Sequence, residues 1–179
     1  SQDERRRAEL ALDGRASADL SDLRRRQWPS VASRIREARL RAGLSHTEVA
    51  RSLGMTVESY ADLEVHGDEA FTVASLRDLA ALGRILGVQP RLLLLGPEGE
   101  GLQQTVTFGD IAARLAKHTA ERGLTAEQLG DHIGWDIKDL LLDPEGLWGF
   151  NVEGLYEICK AVGVDWVTAV PDAVGASAG

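Results

Sequence analysis

Arginine side chains recur at helical spacing around residue 40, and the chemistry open to them is contact with phosphate. A guanidinium group donates to two phosphate oxygens at once, and such contacts supply the sequence-independent part of nucleic-acid affinity. The alternative is a solvated helix face whose arginines pair with Glu37 and Glu48. The arginines concerned are Arg34, Arg36, Arg39, Arg41 and Arg51.

The other residues that could do chemistry are too scattered along the chain to predict a catalytic or metal site. The four histidines, His46, His66, His118 and His132, lack the spacing of metal ligands. The single cysteine, Cys159, falls on the inward side of a predicted helix. The chain has no evident Ser/His/Asp set, paired carboxylates or phosphate-cradling glycine loop. We therefore expect no metal and no cofactor, and we predict that the protein is not an enzyme.

Acidic residues are concentrated in the second half of the chain. The formal net charge is −8. Residues 1–30 carry +1, residues 31–96 carry zero and residues 97–104 carry −2, whereas residues 105–179 carry −7 from five basic and twelve acidic side chains. A surface of that sign is repelled by a polyanion. Only the first half therefore has a charge compatible with contact to a nucleic-acid backbone.

Composition indicates a helical protein. Ala, Leu, Arg and Glu are abundant, aromatic residues make up 5%, and long β-branched runs are absent. The longest apolar stretch, Leu92 to Leu95, is far shorter than the roughly 20 residues of a membrane helix. The first residues are charged without a following apolar stretch, and one cysteine cannot form an internal disulfide. We expect a cytoplasmic protein that does not contact a membrane.

One segment recurs later in the chain with the same pattern of residue types. Residues 43–50 (GLSHTEVA) align with residues 123–130 (GLTAEQLG) at an offset of 80 residues. Residues 82–88 align with residues 158–164 at an offset of 76, so the first copy has the longer connection before its last two helices. Such self-similarity predicts a duplicated module of about 65 residues.

Apolar periodicity and capping residues predict five helices in each copy. In the first copy, apolar residues at three- and four-residue steps over 31–42 form helix one. Ser45 and Glu48 form a capping box that opens helix two. Thr56 caps helix three. Helix four begins at Leu76, and helix five begins at Pro90.

The second copy repeats this plan. Thr125 and Gln128 form its capping box, and Asp136 caps its helix three. Its helix one carries Ile111 and Leu115. Helices four and five run through Leu155 to Val162 and from Val164 to Val167.

These residues resemble the Cro/C1-type (XRE-like) helix-turn-helix family. Residues 36–54 carry RExRxxxGLSxxEVAxxLG, followed by Leu63-Glu64, and residues 123–129 carry GLTxxQL, followed by Gly163-Val164-Asp165-Trp166. The resemblance implies an all-α fold of two tandem five-helix lambda-repressor-like helix-turn-helix domains, the second of them degenerate. The expected divisions are a charged helix or arm over 1–30, a first domain over 31–96, a breaker-rich linker over 97–106, a second, acidic domain over 107–172 and a disordered tail over 173–179.

The resemblance also implies which residues meet DNA. In this family helix three lies in the major groove and the start of helix two faces a phosphate. Of the side chains that make bidentate base contacts (Arg, Lys, Asn, Gln), none stands at the base-reading positions of the first copy, although Glu58 could accept from a cytosine amino group. Arg5-Arg6-Arg7 and Arg24-Arg25-Arg26 form either a basic arm or a helix surface. The implied DNA-contact residues are Arg36, Arg39, Ser45, His46, Arg51, Thr56, Val57, Glu58, Ser59 and Asp62.

The second copy lacks the features of a DNA reader. Its helix-three positions offer only Lys138 among several acids, and they hold more apolar residues than one core face needs. One interpretation is a protein-binding or dimerisation patch. The other is packing against the first copy or the 144–150 loop. The patch residues are Trp135, Ile137, Leu141, Leu142 and Trp148.

Two functions follow as hypotheses. The first is a transcription regulator whose first domain contacts double-stranded DNA and whose second domain mediates assembly, with homodimerisation across two half-sites. In a variant of it, both copies read one pseudo-palindrome across the linker. The second hypothesis is a protein–protein interaction module, such as an antitoxin-like protein, an anti-repressor or an acidic DNA mimic, that kept the fold and lost DNA binding.

Overall fold

The computed structural model describes residues 20–173, except for the side chains of residues 21, 22, 24–26, 28 and 29. This part of the chain consists of helices and connecting turns and contains no β-strand, apart from one isolated antiparallel bridge between Ser75 and Asn151. The predicted all-α class is confirmed. The predicted basic arm at Arg5-Arg6-Arg7 and residues 174–179 lie outside the described residues.

Six α-helices lie in the described part of the first half. They are α1 (Leu20–Arg41), α2 (His46–Leu53), α3 (Val57–Leu63), α4 (Glu69–Thr72), α5 (Leu76–Leu86) and α6 (Pro90–Leu95). The predicted capping box of Ser45 and Glu48 at the start of α2 is confirmed, as is the Thr56 cap of α3. Ser75 and Asp78 form a further capping box at the start of α5. Side chains thus satisfy backbone N–H groups at the starts of α2, α3 and α5.

The second half follows with a similar order of elements. They are the 3-10 turn η1 (Gly96–Gly99), α7 (Phe108–Arg122), α8 (Ala126–Ile133), the 3-10 turns η2 (Lys138–Leu141) and η3 (Pro144–Gly149), α9 (Val152–Ala161) and α10 (Trp166–Ala169). The predicted Thr125 and Gln128 capping box is confirmed. Helices α8 and α9 begin 80 and 76 residues after α2 and α5, the two offsets seen in the sequence.

Helix α1 includes residues that the sequence interpretation assigned to a separate arm. Leu20 and Leu23 are buried, and they continue toward the N-terminus the apolar stripe that includes Val31 and Ile35. The predicted division at residue 30 therefore falls inside one helix. The arginines at positions 24–26, between Leu23 and Val31, obscured the stripe in the sequence. Helix α4, which the sequence interpretation did not include, lies within the longer connection before α5.

No α-helix forms at the predicted helix three of the second copy, in contrast to the expectation. Asp136 accepts a hydrogen bond from the Lys138 N–H at 3.1 Å, but the segment that follows is a four-residue 3-10 turn. Pro144 lacks an N–H group and disfavours the helical conformation at the preceding residue. Asp143 is accordingly extended, with φ −138° and ψ 91°. The proline therefore prevents a helix from continuing past Leu142.

The two halves share one hydrophobic core. The buried cluster runs from residues of α1 to residues of α10 without a break. The predicted linker is held in place, because Gly99 is buried and the N–H groups of Thr105 and Val106 both donate to the Thr168 carbonyl, at 3.0 and 3.1 Å. Ala173, predicted to begin the tail, donates its N–H to Gln89 Oε1 at 2.7 Å.

Within the described part, no single helix has the length and apolar character needed to cross a membrane. The bent pair formed by Leu76–Leu86 and Pro90–Gly99, with an angle of 97° between its segments, reaches the required length and composition only when both segments are taken together.

Candidate nucleic-acid interface

Helices α2 and α3 are joined by a tight turn through Gly54. This glycine has a left-handed backbone with φ 70°, which a residue without Cβ adopts at little cost. The N–H groups of Gly54 and Met55 donate to the carbonyls of Arg51 and Ala50 at 3.2 and 2.9 Å, closing the end of α2. The chain thus turns from one helix to the next within three residues, and Thr56 caps α3.

The inward residues of the two helices fix which side of α3 is left open. Val49 and Ala50 of α2 and Tyr60 and Leu63 of α3 are buried. The remaining positions of α3 that the sequence implicated in DNA contact are brought together on its exposed side. They are Val57, Glu58, Ser59 and Asp62, with Thr56 exposed at the cap.

Hydroxyl groups at the start of α3 are arranged as a relay. Thr56 Oγ1 accepts from the Ser59 N–H at 3.1 Å and donates to Ser59 Oγ at 2.8 Å. The hydroxyl of Ser59 thereby keeps its own proton for an outside acceptor. Next to it, Glu58 and Asp62 supply two carboxylates, so the exposed side of α3 is rich in acceptors.

The start of α2 is exposed, and its first turn contains the acidic residue Glu48. Glu48 Oε2 accepts from the Ser45 N–H at 2.7 Å, and Ser45 Oγ accepts from the Glu48 N–H at 3.1 Å. These hydrogen bonds lower the pKa of Glu48, whose negative charge therefore stays at the helix N-terminus. The positive end of the helix dipole is partly offset there.

Arg39, implied to contact DNA, is instead committed to an internal ion pair. Its guanidinium is nearly buried and donates twice to the Glu64 carboxylate, from Nε at 2.7 Å and from Nη2 at 3.0 Å. Nη1 donates to the Leu44 carbonyl at 2.9 Å. Arg39 lies four residues after the buried Ile35, on the inward side of α1, and this spacing was the signal that placed it inside. Arg39 is therefore not available for contact with DNA.

Glu64 holds α1, α2 and α3 together. Besides Arg39, its carboxylate faces His46, with Nε2 3.3 Å from Oε1. Burial raises the pKa of Glu64, but hydrogen bonds and positive charge from Arg39, with a smaller contribution from His46, outweigh it and leave the pKa below the usual value. Burial, with a further contribution from Glu64, strongly raises the pKa of Tyr60. The predicted contact residue His46 is thus oriented by a partner that the sequence interpretation missed.

The other four arginines predicted to contact phosphate divide into free and occupied groups. Arg36 and Arg51 are exposed and take part in no ion pair among residues 20–173. Arg34 donates to the Leu93 carbonyl at 3.0 Å and to Gln27 Oε1 at 2.7 Å, so it ties α1 to α6. Arg41 lies on an open groove that Asp172 also lines. Arg36 and Arg51 are therefore the better phosphate-contact candidates.

The predicted interface residues of the second half do not form one exposed patch. Ile137 is fully buried in the core of this chain. Trp135 packs against Phe150 with ring centroids 5.4 Å apart, and Trp148 meets Phe108 edge-on at 5.0 Å. The alternative of internal packing therefore accounts for these residues.

Two leucines complete the predicted patch. Leu141 is half-buried against the core, whereas Leu142 is 87% exposed. Leu142 alone of the five remains available as an apolar contact.

Among residues 20–173, no group of three or more His, Cys, Asp and Glu side chains is placed to hold a metal ion. Cys159 is buried, and burial together with Asp165 raises the pKa of its thiol to about 12.

Comparison with known proteins locates the helix-turn-helix in the first half. Residues 30–95 match a protein-family model described as a helix-turn-helix domain. The matched segment ends with α6 and includes the α2–turn–α3 unit. No curated protein and no solved structure matches the chain.

Proposed function

We propose, from the helix-turn-helix domain over residues 30–95, that this protein is a DNA-binding transcription regulator of the phage-repressor type. The observation that carries the proposal is the exposed side of α3, which is open to an outside partner. The Arg39–Glu64 ion pair connects the end of α3 to α1. In this role α3 enters the major groove of double-stranded DNA, and the α2 start with Ser45 and His46 faces the backbone.

The chemistry of α3 supports weak sequence discrimination. Glu58 can accept from a cytosine amino group, and Thr56 or Ser59 can meet a phosphate. The exposed side of α3 contains no Arg, Lys, Asn or Gln, the residues that make bidentate base contacts. Affinity would then depend on a few phosphate contacts from residues such as Arg36 and Arg51, and it would fall steeply with salt.

The second half takes the role of assembly in this proposal. Two observations indicate that this half does not read DNA: turns η2 and η3 stand in place of a third helix, and residues 105–179 carry a net charge of −7. A phosphate backbone would be repelled from such a surface. The variant in which both halves read one operator lacks a reading helix in its second half.

Fluorescence anisotropy with a random-sequence duplex tests the proposal. Wild-type protein should bind at 50 mM salt and lose affinity steeply by 200 mM. The Arg36→Ala/Arg51→Ala variant should bind more weakly and show a salt slope shallower by about one to two units. Arg122→Ala, which removes an exposed arginine from the end of α7, is the matched control and should leave binding unchanged. Equal binding by all three proteins would refute the assigned surface.

The second candidate function is a protein–protein interaction module. Leu142 favours it, because this leucine is 87% exposed and lies beside Asp139 and Asp143. An apolar side chain with two acids close by in the sequence suits a partner with an apolar pocket and a basic rim. Absence of duplex binding at 50 mM salt, with a partner captured by wild type and lost in Leu142→Glu, would favour this function.

A further inference from the structure

Ser75 and Asn151, which the predicted repeat aligns at its offset of 76, contact each other. They cap α5 and α9, the corresponding fourth helices of the two predicted copies. They form an antiparallel bridge flanked by a 2.7 Å hydrogen bond from the Leu76 N–H to the Phe150 carbonyl. Asn151 Nδ2 also donates to the Thr72 carbonyl at 2.8 Å. An antiparallel pair has a local two-fold axis between its residues, so this axis relates equivalent positions.

A second pair at the same offset also meets. Arg91 of α6 donates from Nε to the Val167 carbonyl of α10 at 2.8 Å. Their helices begin 76 residues apart, at Pro90 and Trp166. Equivalent residues contact each other only where they lie on the two-fold axis, so these two pairs define the line of that axis. Two unrelated surfaces would bring equivalent residues together only by coincidence.

Contacts away from this line are reciprocal. Helix α9 of the second half packs on α4 of the first, and α5 of the first half packs on η3 of the second. In the predicted repeat, α5 corresponds to α9, and η3 stands where α4 stands in the first half. Each half thus offers the same two elements to the other, which is the pattern of an isologous interface.

We infer that the chain is an internal pseudo-two-fold pair whose second half occupies the place of a second subunit. The surface that an isologous homodimer would use is covered within one chain. The protein is therefore a monomer, in contrast to the homodimer expected from the sequence.

The pairing has a consequence for the proposed function, on which this step rests. The second half brings no reading helix and a charge of −7 to the pair. One chain then places a single recognition helix, α3, on DNA. The DNA site that it binds is one asymmetric half-site rather than a palindrome.

A disulfide between the paired caps tests the inference. In a bridge of this register the Cα atoms are about 4.5 Å apart, within the range that a disulfide spans. Ser75→Cys/Asn151→Cys should therefore oxidise within one chain and remain monomeric. Oxidised and reduced forms should bind a random duplex of about 16 base pairs equally at 50 mM salt. The two single variants control for loss of each cap, and Cys159 is buried.

Sedimentation equilibrium supplies the second measurement. Wild type should have the mass of one 19.3 kDa chain, and with duplex in excess each complex should contain one chain. A wild-type dimer, a disulfide that does not form, or loss of binding only on oxidation would overturn the inference. If the protein is a monomer and the disulfide forms within one chain, but no duplex binds, the proposed function is refuted and the internal pairing still holds.

Discussion

Arg91 and Asp172 form an ion pair in which the arginine side chain is fully buried and the carboxylate is 43% exposed, with Nη1 2.5 Å from Oδ1. The same guanidinium donates to the carbonyls of Val167 and Val170. Asp172 also accepts from the Gln104 N–H at 3.2 Å. One side chain of the first half therefore holds the last described turn of the second half and, through Asp172, the segment that joins them.

Loss of Arg91 should weaken the whole fold. Arg91→Met fills much of the same volume but leaves two carbonyls and Asp172 without their donor, and we expect the free energy of unfolding to fall by at least about 2 kcal/mol. Urea denaturation followed by circular dichroism measures the change. Arg77→Ala, at an exposed position of α5, is the control and should stay within about 0.5 kcal/mol. If the free energy of unfolding of Arg91→Met also changed by no more than about 0.5 kcal/mol, the guanidinium contacts would add no net stability.

Glu64 should make stability depend on acid pH. Because its pKa in the folded protein lies below the usual value of 4.5, the folded state favours the ionised form. The resulting stabilisation is complete above pH 4.5 and is lost as the pH falls through the lowered pKa. Glu64→Gln should cost about 2 kcal/mol at pH 7, and its difference from wild type should shrink below pH 4.5. Unfolding curves between pH 3 and 7 test this. A difference that stays constant across that range would contradict the role of the carboxylate.

Two glycines in helices should respond oppositely to alanine. A Cβ at Gly83 in α5 would lie 2.5 Å from the Val88 carbonyl oxygen and 3.1 Å from the Ala173 Cβ, so Gly83→Ala should destabilise by about 1–3 kcal/mol. Gly109 in α7 would meet only Thr107 Oγ1, at 3.6 Å. Gly109→Ala should therefore gain up to about 1 kcal/mol from helix propensity. Thermal unfolding of both variants measures these two changes in stability. If both substitutions stabilised the protein, α5 would not closely approach the following turn.

The sequence was sufficient for the local structure of the helix-turn-helix. Capping depends on residues three positions apart, and the boxes at Ser45 and Thr125 form where the spacing predicts. The exposed side of α3 likewise follows from the inward positions of Tyr60 and Leu63. These features depend on contacts within one or two helical turns, which a sequence displays directly.

Contacts between distant residues were decided only by the tertiary structure. Arg39 and Glu64 are 25 residues apart, and Arg91 and Asp172 are 81 apart, so no local pattern shows which residues form each ion pair. Ile137 is another example, since its place in the core depends on how the turns after α8 fold back. Helix caps and apolar stripes are properties of neighbours along the chain, whereas burial of a charge or pairing of two halves depends on which surfaces the packed core brings together.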